Sequence, residues 1–316
     1  MAKIKLPKVE DLFTAGVHFG HQVRRWNPKM EKYIFAQRSG IHIIDLGETH
    51  KGLGDAAEFL KEVASEGKQI IFIGTKRQAK DIIESEANRS GALYVSERWL
   101  GGTITNFRII RRNIDKLVDF KNKKETGGLD MYTKKERLLI DRQIAKLERS
   151  VGGVVGLQGK PAAIFVVDAR REKTAIKEAK VSKIPVVALI DTNSDPTDVS
   201  YPIPGNDDAI RSIAAITKVI GDAIEEGYAS YAKKSVKEAE ERAKAAEDAA
   251  KAAAKEVEEA AKEKVKITGT QSPHASKDIG KEDMKKAMKT PKKVKASKDV
   301  KKAKPAKAKP SKKESK

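Results

Sequence analysis

Ile70-Ile71-Phe72-Ile73-Gly74-Thr75-Lys76-Arg77 begins with four apolar residues in a row, three of them β-branched and one aromatic. No polar residue alternates with them, so the run predicts a strand covered on both faces rather than one with a wet side. Gly74 ends the run, and Thr75 to Asn88 reads as an amphipathic helix folded back over the strand. Similar apolar runs follow at Ala92 to Val95, Ala163 to Val167 and Val186 to Ile190, each a central-strand candidate. Glu172 to Val181 and Asn206 to Glu226 supply further covering helices. Short apolar strands alternating with amphipathic helices predict an α/β fold with a mostly parallel sheet flanked by helices.

Upstream, Tyr33 to Ala36 and Ile41 to Leu46 flank Gln37-Arg38-Ser39-Gly40, which predicts a hairpin attached to that sheet, and Glu48 to Glu66 reads as another covering helix. Several of these helices start at acidic or hydroxyl residues suited to capping. One segment interrupts the alternation. Between Thr105 and Val151, Phe107, Ile110, Ile114 and Leu117 repeat at steps of three and four, as do Ile140, Ile144, Leu147 and Val151. With Thr126-Gly127-Gly128 between the stripes, the simplest reading is an antiparallel coiled-coil helical hairpin inserted at about 105–151. Downstream of an α/β domain at 1–230, residues 231–263 read as a solvated Ala/Glu/Lys helix and 264–316 as a disordered Lys-rich tail.

Charge points to the kind of partner. Lysine and arginine total 65 against 45 acids in 316 residues, a net charge of +20, of which the last 53 residues hold +14. This predicts a polyanionic partner. Residues 101–150 carry 13 basic and 7 acidic side chains, so the exposed face of the hairpin is positive. The absence of cysteine excludes disulfides, thiolate metal sites and cysteine nucleophiles, and fits a reducing, cytoplasmic compartment. Met1 to Val9 has no apolar signal region and no window approaches 18 apolar residues, so neither a leader nor a membrane partner is expected.

The densest constellation is Val17-His18-Phe19-Gly20-His21-Gln22-Val23-Arg24-Arg25-Trp26-Asn27-Pro28-Lys29-Met30. Cations, an indole and imidazoles without apolar periodicity read as an RNA-contacting loop: Arg24, Arg25 and Lys29 on phosphates, Trp26 stacked, Asn27 beside them. The bland alternative folds Trp26 and Phe19 onto the core, and both can hold together. His18 and His21, three apart with no cysteine or acid close in sequence, are packed or RNA-contacting histidines by default rather than zinc ligands. A second cluster, Arg98-Trp99-Leu100-Gly101-Gly102-Thr103-Ile104-Thr105-Asn106-Phe107-Arg108 with Arg111 and Arg112, pairs a glycine turn with hydroxyl caps and cations. Arg98, Trp99, Gly101, Gly102, Thr105, Asn106, Arg108, Arg111 and Arg112 are read as RNA-binding, as are Lys134 and Lys135 on the second helix of the hairpin. Lys76 and Arg77, at the expected helix N-terminus, are placed to grip a phosphate. Gly74 to Lys80 lacks both the three glycines of a dinucleotide loop and the Gly-Lys-Ser/Thr of a phosphate loop, so no nucleotide cofactor is expected. The third cluster is acidic: Asp191-Thr192-Asn193-Ser194-Asp195-Pro196 and Pro204-Gly205-Asn206-Asp207-Asp208. Such residues are ordinary in turns and caps, and no metal is assigned, with Asp191, Asp207 and Asp208 as the candidates should one bind.

In this order, the blocks Asp11 to His21, Arg24 to Met30, Phe72 to Arg77, Arg98 to Gly102, Asp191 to Pro196 and Ile203 to Ile210 resemble the bacterial S-two family of small-subunit ribosomal proteins over roughly residues 5–228. The resemblance implies a flavodoxin-like α/β domain with a protruding coiled-coil arm, structural and without enzymatic activity. It also implies binding to small-subunit ribosomal RNA near the head and body junction on the solvent side, beside other small-subunit proteins, including the large OB-fold protein that helps recruit messenger RNA. Two readings compete. An α/β enzyme using the acidic strand-end loops lacks a phosphate loop, a cysteine and any catalytic triad order, and a free nucleic-acid-binding module would share the same basic arm and tail.

Overall fold

The computed structural model describes residues 4–129 and 131–267, with side chains described to residue 237 and at 241 and 242. In chain order the elements are α1 (Val9–Thr14), β1 (Phe19–Gln22), β2 (Ile34–Arg38), β3 (Ile41–Ile44), α2 (Leu46–Ser65), β4 (Ile70–Ile73), α3 (Lys80–Ser90), β5 (Leu93–Val95), α4 (Phe107–Glu125), α5 (Lys134–Val151), β6 (Ala163–Val167), α6 (Lys173–Val181), β7 (Val186–Ile190), β8 (Tyr201–Pro204) and α7 (Ile210–Ile267). Two units divide the chain, Met1–Ala249 and Ala250–Lys316; of the second, the described part is the helical stretch 250–267.

Five parallel strands lie in the order β5-β4-β6-β7-β8. This is the order of a doubly wound sheet whose direction of growth reverses between β4 and β6, so the chain ends of these two strands open a crevice at the carboxyl edge. Residue parity explains the layers. Ile70 and Phe72, with Ala163, Phe165, Val167, Val187 and Leu189, face α2, α3 and the first turns of α7 through Leu53, Leu60, Ile83, Ile213, Ile216 and Ile220. Ile71 and Ile73, with Ile164, Val166, Ala188 and Ile190, face α6 and the bases of α4 and α5. β4, β6 and β7 are buried at every position, as strands covered on both sides must be.

The structure corrects several expectations. β5 is an edge strand, only three residues long and partly exposed at Leu93 and Tyr94. The upstream hairpin does not join the main sheet but forms a separate antiparallel sheet of order β1-β3-β2, and β1 arises inside the stretch read as a loop. Its link is the pair Ser39-Gly40 rather than four residues, because both take positive φ (52° and 75°), the geometry of a tight two-residue turn. α3 begins at Lys80, so Lys76 and Arg77 lie in the turn before it, with the Lys76 carbonyl accepting from the amides of Ala79 and Lys80. α7 begins at Ile210, later than the expected start at Asn206, and runs to Ile267, including the span 231–263 read as a solvated helix. Of the expected Lys-rich tail, 264–267 continue α7 and the remainder lies outside the described residues.

α4 and α5 pack side by side. Ile110, Ile114 and Leu117 of α4 are buried with Ile144 and Val151 of α5, and Lys121–Glu148 (2.7 Å) and Lys124–Asp141 (2.8 Å) flank the seam. Because rising numbers in α4 meet falling numbers in α5, the two helices run antiparallel. Thr133 caps α5 by accepting from the Glu136 amide, while the Glu136 carboxylate returns to the Thr133 amide, a reciprocal pair of bonds for groups that lack helical partners.

Candidate nucleic-acid interface

The segment after β1 is held at three points. Met30 and Tyr33 are buried beneath it, the Asn27 amide donates to the Thr192 carbonyl at 2.8 Å, and the Asn27 side chain accepts from the Lys29 amide at 3.0 Å. Trp26 is half-buried with its ring 5.2 Å from that of His42, so one face rests on the protein. Arg24 and Arg25, consecutive in the adjoining turn, are exposed, and among the described residues no carboxylate pairs with either. Lys29 is also exposed but is tethered to Asp195 at 2.8 Å and Thr197 at 3.2 Å. The ammonium, with the Thr197 hydroxyl, holds the Asp195 carboxyl down at about 2. The loop thus presents two unpaired guanidiniums beside an indole on a fixed frame.

The second cluster divides. Arg98, Gly101, Asn106, Arg108 and Arg112 are exposed, and Arg111 is exposed while bonding Asp115 at 3.0 Å and the Leu157 carbonyl at 3.3 Å. Trp99 is buried, Gly102 half-buried, and Thr105 is exposed but turns its amide and hydroxyl toward the same partner. All three donate to Glu178, a nearly buried carboxylate on α6. Its Oε1 accepts from the Trp99 indole (3.2 Å) and the Gly102 amide (2.8 Å), and its Oε2 from the amides of Ile104 (3.1 Å) and Thr105 (3.3 Å) and from the Thr105 hydroxyl (3.3 Å). Burial pushes the Glu178 pKa up, but the bonds from Gly102, Ile104, Trp99 and Thr105 together outweigh it and hold the carboxyl below its ordinary value. Gly102 has φ of +90°, which lets the chain curl around the anion. These residues brace the turn, and the buried Trp99 ring is turned away from solvent while Thr105 remains exposed. Glu178 was missed, although Ala175, Glu178 and Ala179 share one stripe of α6, and a carboxylate within an apolar stripe is a sign of a buried partner.

Lys134 and Lys135 are exposed at the start of α5. The antiparallel packing sets them at the opposite end of the helical pair from Arg108, Arg111 and Arg112, about the length of α4, or about 28 Å, away. The basic residues of this pair therefore form an extended face rather than one cluster.

Lys76 belongs elsewhere. Its ammonium, mostly buried, bonds Asp207 at 2.9 Å and Asp208 at 2.6 Å, with Asp168 at 4.0 Å, at the carboxyl ends of β4, β6 and β8. Burial works against its charge, but the two carboxylates outweigh it and raise its pKa. Lys76 is thus engaged by carboxylates, whereas Arg77 beside it is exposed. His21 joins the same cluster, its Nδ1 2.9 Å from Asp191 and its Nε2 3.4 Å from Asp208. The hydrogen bond to Asp191 outweighs burial and raises the His21 pKa. Burial, with the charges of Asp191 and Asp168, pushes the Asp207 carboxyl up to about 7. His18 points away, stacked on Phe13 (4.3 Å) and beside Phe19 (4.0 Å), so the two histidines do not act as a pair. Ordinary turn roles also appear: the Asn206 side chain accepts from the amides of Asp208 and Ala209, and that of Asp195 from Thr197.

Comparison with known proteins agrees with this architecture. The profile of the family described as Ribosomal protein S2 matches residues 12–227. Small ribosomal subunit protein uS2c of Cyanophora paradoxa is 50% identical over 230 residues, spanning 73% of this chain and 98% of that protein. Small ribosomal subunit protein uS2 of Mycobacteroides abscessus is 50% identical over 219 residues, 69% of this chain and 79% of its own. With a profile match across the sheet domain and half of all aligned residues identical, the chain belongs to the ribosomal protein S2 family, whose members are structural and not enzymes.

Proposed function

We propose that the protein is a structural constituent of the small ribosomal subunit that binds its ribosomal RNA through the loop at Arg24, Arg25 and Trp26 and through the exposed cations of the α4–α5 pair. The observation that carries this reading is the loop: two exposed arginines without carboxylate partners among the described residues immediately precede an indole that rests against His42. Guanidiniums fork onto phosphate oxygens, and an indole with one face supported loses little freedom when a base or ribose covers the other. Asn27 and Lys29 set the loop, Arg77, Arg98, Gly101 and Asn106 offer further contacts near the sheet, and Arg108, Arg111, Arg112, Lys134 and Lys135 extend the basic surface along the helices as a coiled-coil arm. The exposed rings of Phe13, Phe19 and Phe35 suit neighbouring small-subunit proteins, among which the reading includes the large OB-fold protein that recruits messenger RNA.

The test is incorporation into small subunits, with salt as the variable. Arg24→Ala with Arg25→Ala should lower RNA affinity and flatten the dependence of log K on log salt by about 0.7–0.9 per lost phosphate contact. Trp26→Ala should cost roughly 1–3 kcal/mol of RNA binding. Full retention of the variants on subunits through a high-salt wash, with unchanged salt slopes, would show that the loop does not carry the binding.

A further inference from the structure

The turns that follow β5, β4 and β6 leave the sheet side by side. Ile73 pairs with Val95 on one flank and with Val166 on the other, so the three strands end level, and at the usual strand spacing they span about 10 Å. Each turn carries exposed arginine: Arg98 after β5, Arg77 after β4, and Arg170 with Arg171 after β6. Among the described residues none of these four guanidiniums bonds a carboxylate. Arg89, on the far side of the sheet's edge helix α3, shows the contrast: it is held by Glu86, Asp222 and Glu225.

Arg171 is also held in place. Asp168 takes a φ of +70°, a conformation that residues with a side chain seldom adopt unless a local hydrogen bond supports it. Here its carboxylate accepts from the amides of Arg170 (3.0 Å) and Arg171 (3.1 Å), which turns the chain sharply at the end of β6. The Arg171 Nε then donates to the Thr75 hydroxyl at 2.9 Å, and that hydroxyl donates in turn to the Glu172 carboxylate. Thr75 and Glu172 are both buried. A buried carboxylate is costly to keep, and the effect of this one is to fix, through a single hydroxyl, one exposed side chain. The tether engages Nε alone. Both Nη groups are left without a bond among the described residues, and they are the fork with which arginine grips a phosphate.

We propose that Arg171, positioned by Thr75 and Glu172, forms with Arg170, Arg77 and Arg98 a clamp for backbone phosphates of ribosomal RNA over the carboxyl edge of the sheet. The proposal rests on the RNA-binding reading given above and adds a site distinct from the arginine loop, with Arg170 and Arg171 as new contacts. Four arginines spread over three strands match a row of charges better than one small anion. The edge also lacks the glycine-rich loop with which doubly wound folds hold free nucleotides, since Gly74 is followed by Thr75-Lys76-Arg77. The two acids of the β6 turn do not compete for the arginines, because Asp168 is engaged by amides and Glu172 by Thr75.

The test adds full-length protein back to small subunits washed free of it and measures binding across a range of salt. Arg170→Ala with Arg171→Ala, both at exposed positions, should weaken binding by about tenfold or more and flatten log K against log salt by about 1.4–1.8, two phosphate contacts at about 0.7–0.9 each. Arg171→Lys should lower affinity and leave the slope unchanged, since lysine keeps the charge without the fork. Thr75→Val should do the same by releasing Arg171, and Thr75→Ser, which keeps the hydroxyl, should bind as the wild type does. Unchanged affinity and slope in the arginine double variant overturn the clamp, and if Arg24→Ala with Arg25→Ala still weakens binding, the reading of the arginine loop stands without it. No effect from either pair overturns both. Thr75→Ser as weak as Thr75→Val overturns the positioning role. Saturable binding of ATP by the free protein, lost with Arg171, would assign the edge to a nucleotide and overturn the choice of RNA. Because the arginine variants change only exposed side chains, they test the site even if Thr75→Val fails to fold.

Discussion

Glu178 shows how one side chain fixes a surface it never reaches. Its two oxygens accept from the Trp99 indole, three backbone amides and the Thr105 hydroxyl, so the chain from Trp99 to Thr105 is wound around a single charge. Glu178→Gln would turn an amide NH2 toward groups that are themselves donors and should cost about 2–4 kcal/mol in urea denaturation at neutral pH. The folded pKa lies below the ordinary 4.5, so this contribution is complete above the unfolded value and is lost as pH falls through the folded one. The gap between wild type and variant should therefore narrow as denaturation is repeated below pH 4.5; a gap unchanged at lower pH would show that the charge is not what the donors hold. Nothing adjacent to Trp99 in sequence hints at this arrangement. Its partner lies 79 residues away, and for that reason Trp99 reads as an RNA-facing ring until the fold is known.

At the level of elements, the helical pair is governed by its apolar seam. Ile114 is almost fully buried at its middle, and Ile114→Ala should destabilise the domain by about 2–5 kcal/mol through lost transfer energy and the cavity left behind. Lys124→Ala should cost less than about 1 kcal/mol, because the Lys124–Asp141 pair is largely exposed and screened. Equal effects of the two changes on the thermal midpoint would contradict this ranking. The spacing of Ile110, Ile114 and Leu117 was legible because helical periodicity is written in neighbouring residues, and the doubly covered strands were legible for the same reason. Which sheet a strand joins is not local information. β2 and β3 have the pattern of any hairpin, and nothing within them tells that their third partner is β1 rather than the main sheet.

For the whole molecule, the parallel sheet brings residues far apart in sequence to one edge, and there the reading of the sequence stopped short. His21, Lys76, Asp191 and Asp207 were each visible, but each had an ordinary explanation alone, and their meeting depends on strand order. Charge distribution also acts at this scale. Deleting residues 264–316, which carry 19 basic and 5 acidic side chains, should leave the melting temperature of the domain unchanged and reduce RNA affinity most at low salt, where attraction is least screened. A truncated chain that no longer entered small subunits even at low ionic strength would show that those residues direct placement rather than add general attraction.

The supports of the arginine loop also set a schedule. The Asn27 amide rests on the Thr192 carbonyl, the His21 amide donates to the Thr192 hydroxyl 171 residues on, and Lys29 reaches Asp195 across 166. At synthesis rates of about 5–20 residues per second, the loop waits about 8–34 s for these partners to be made. Until then the two arginines and the indole lack these supports, and only a chain extended past Asp195 can hold them in the geometry seen here. The last turns of the sheet are thus the latch that sets the shape of the first loop.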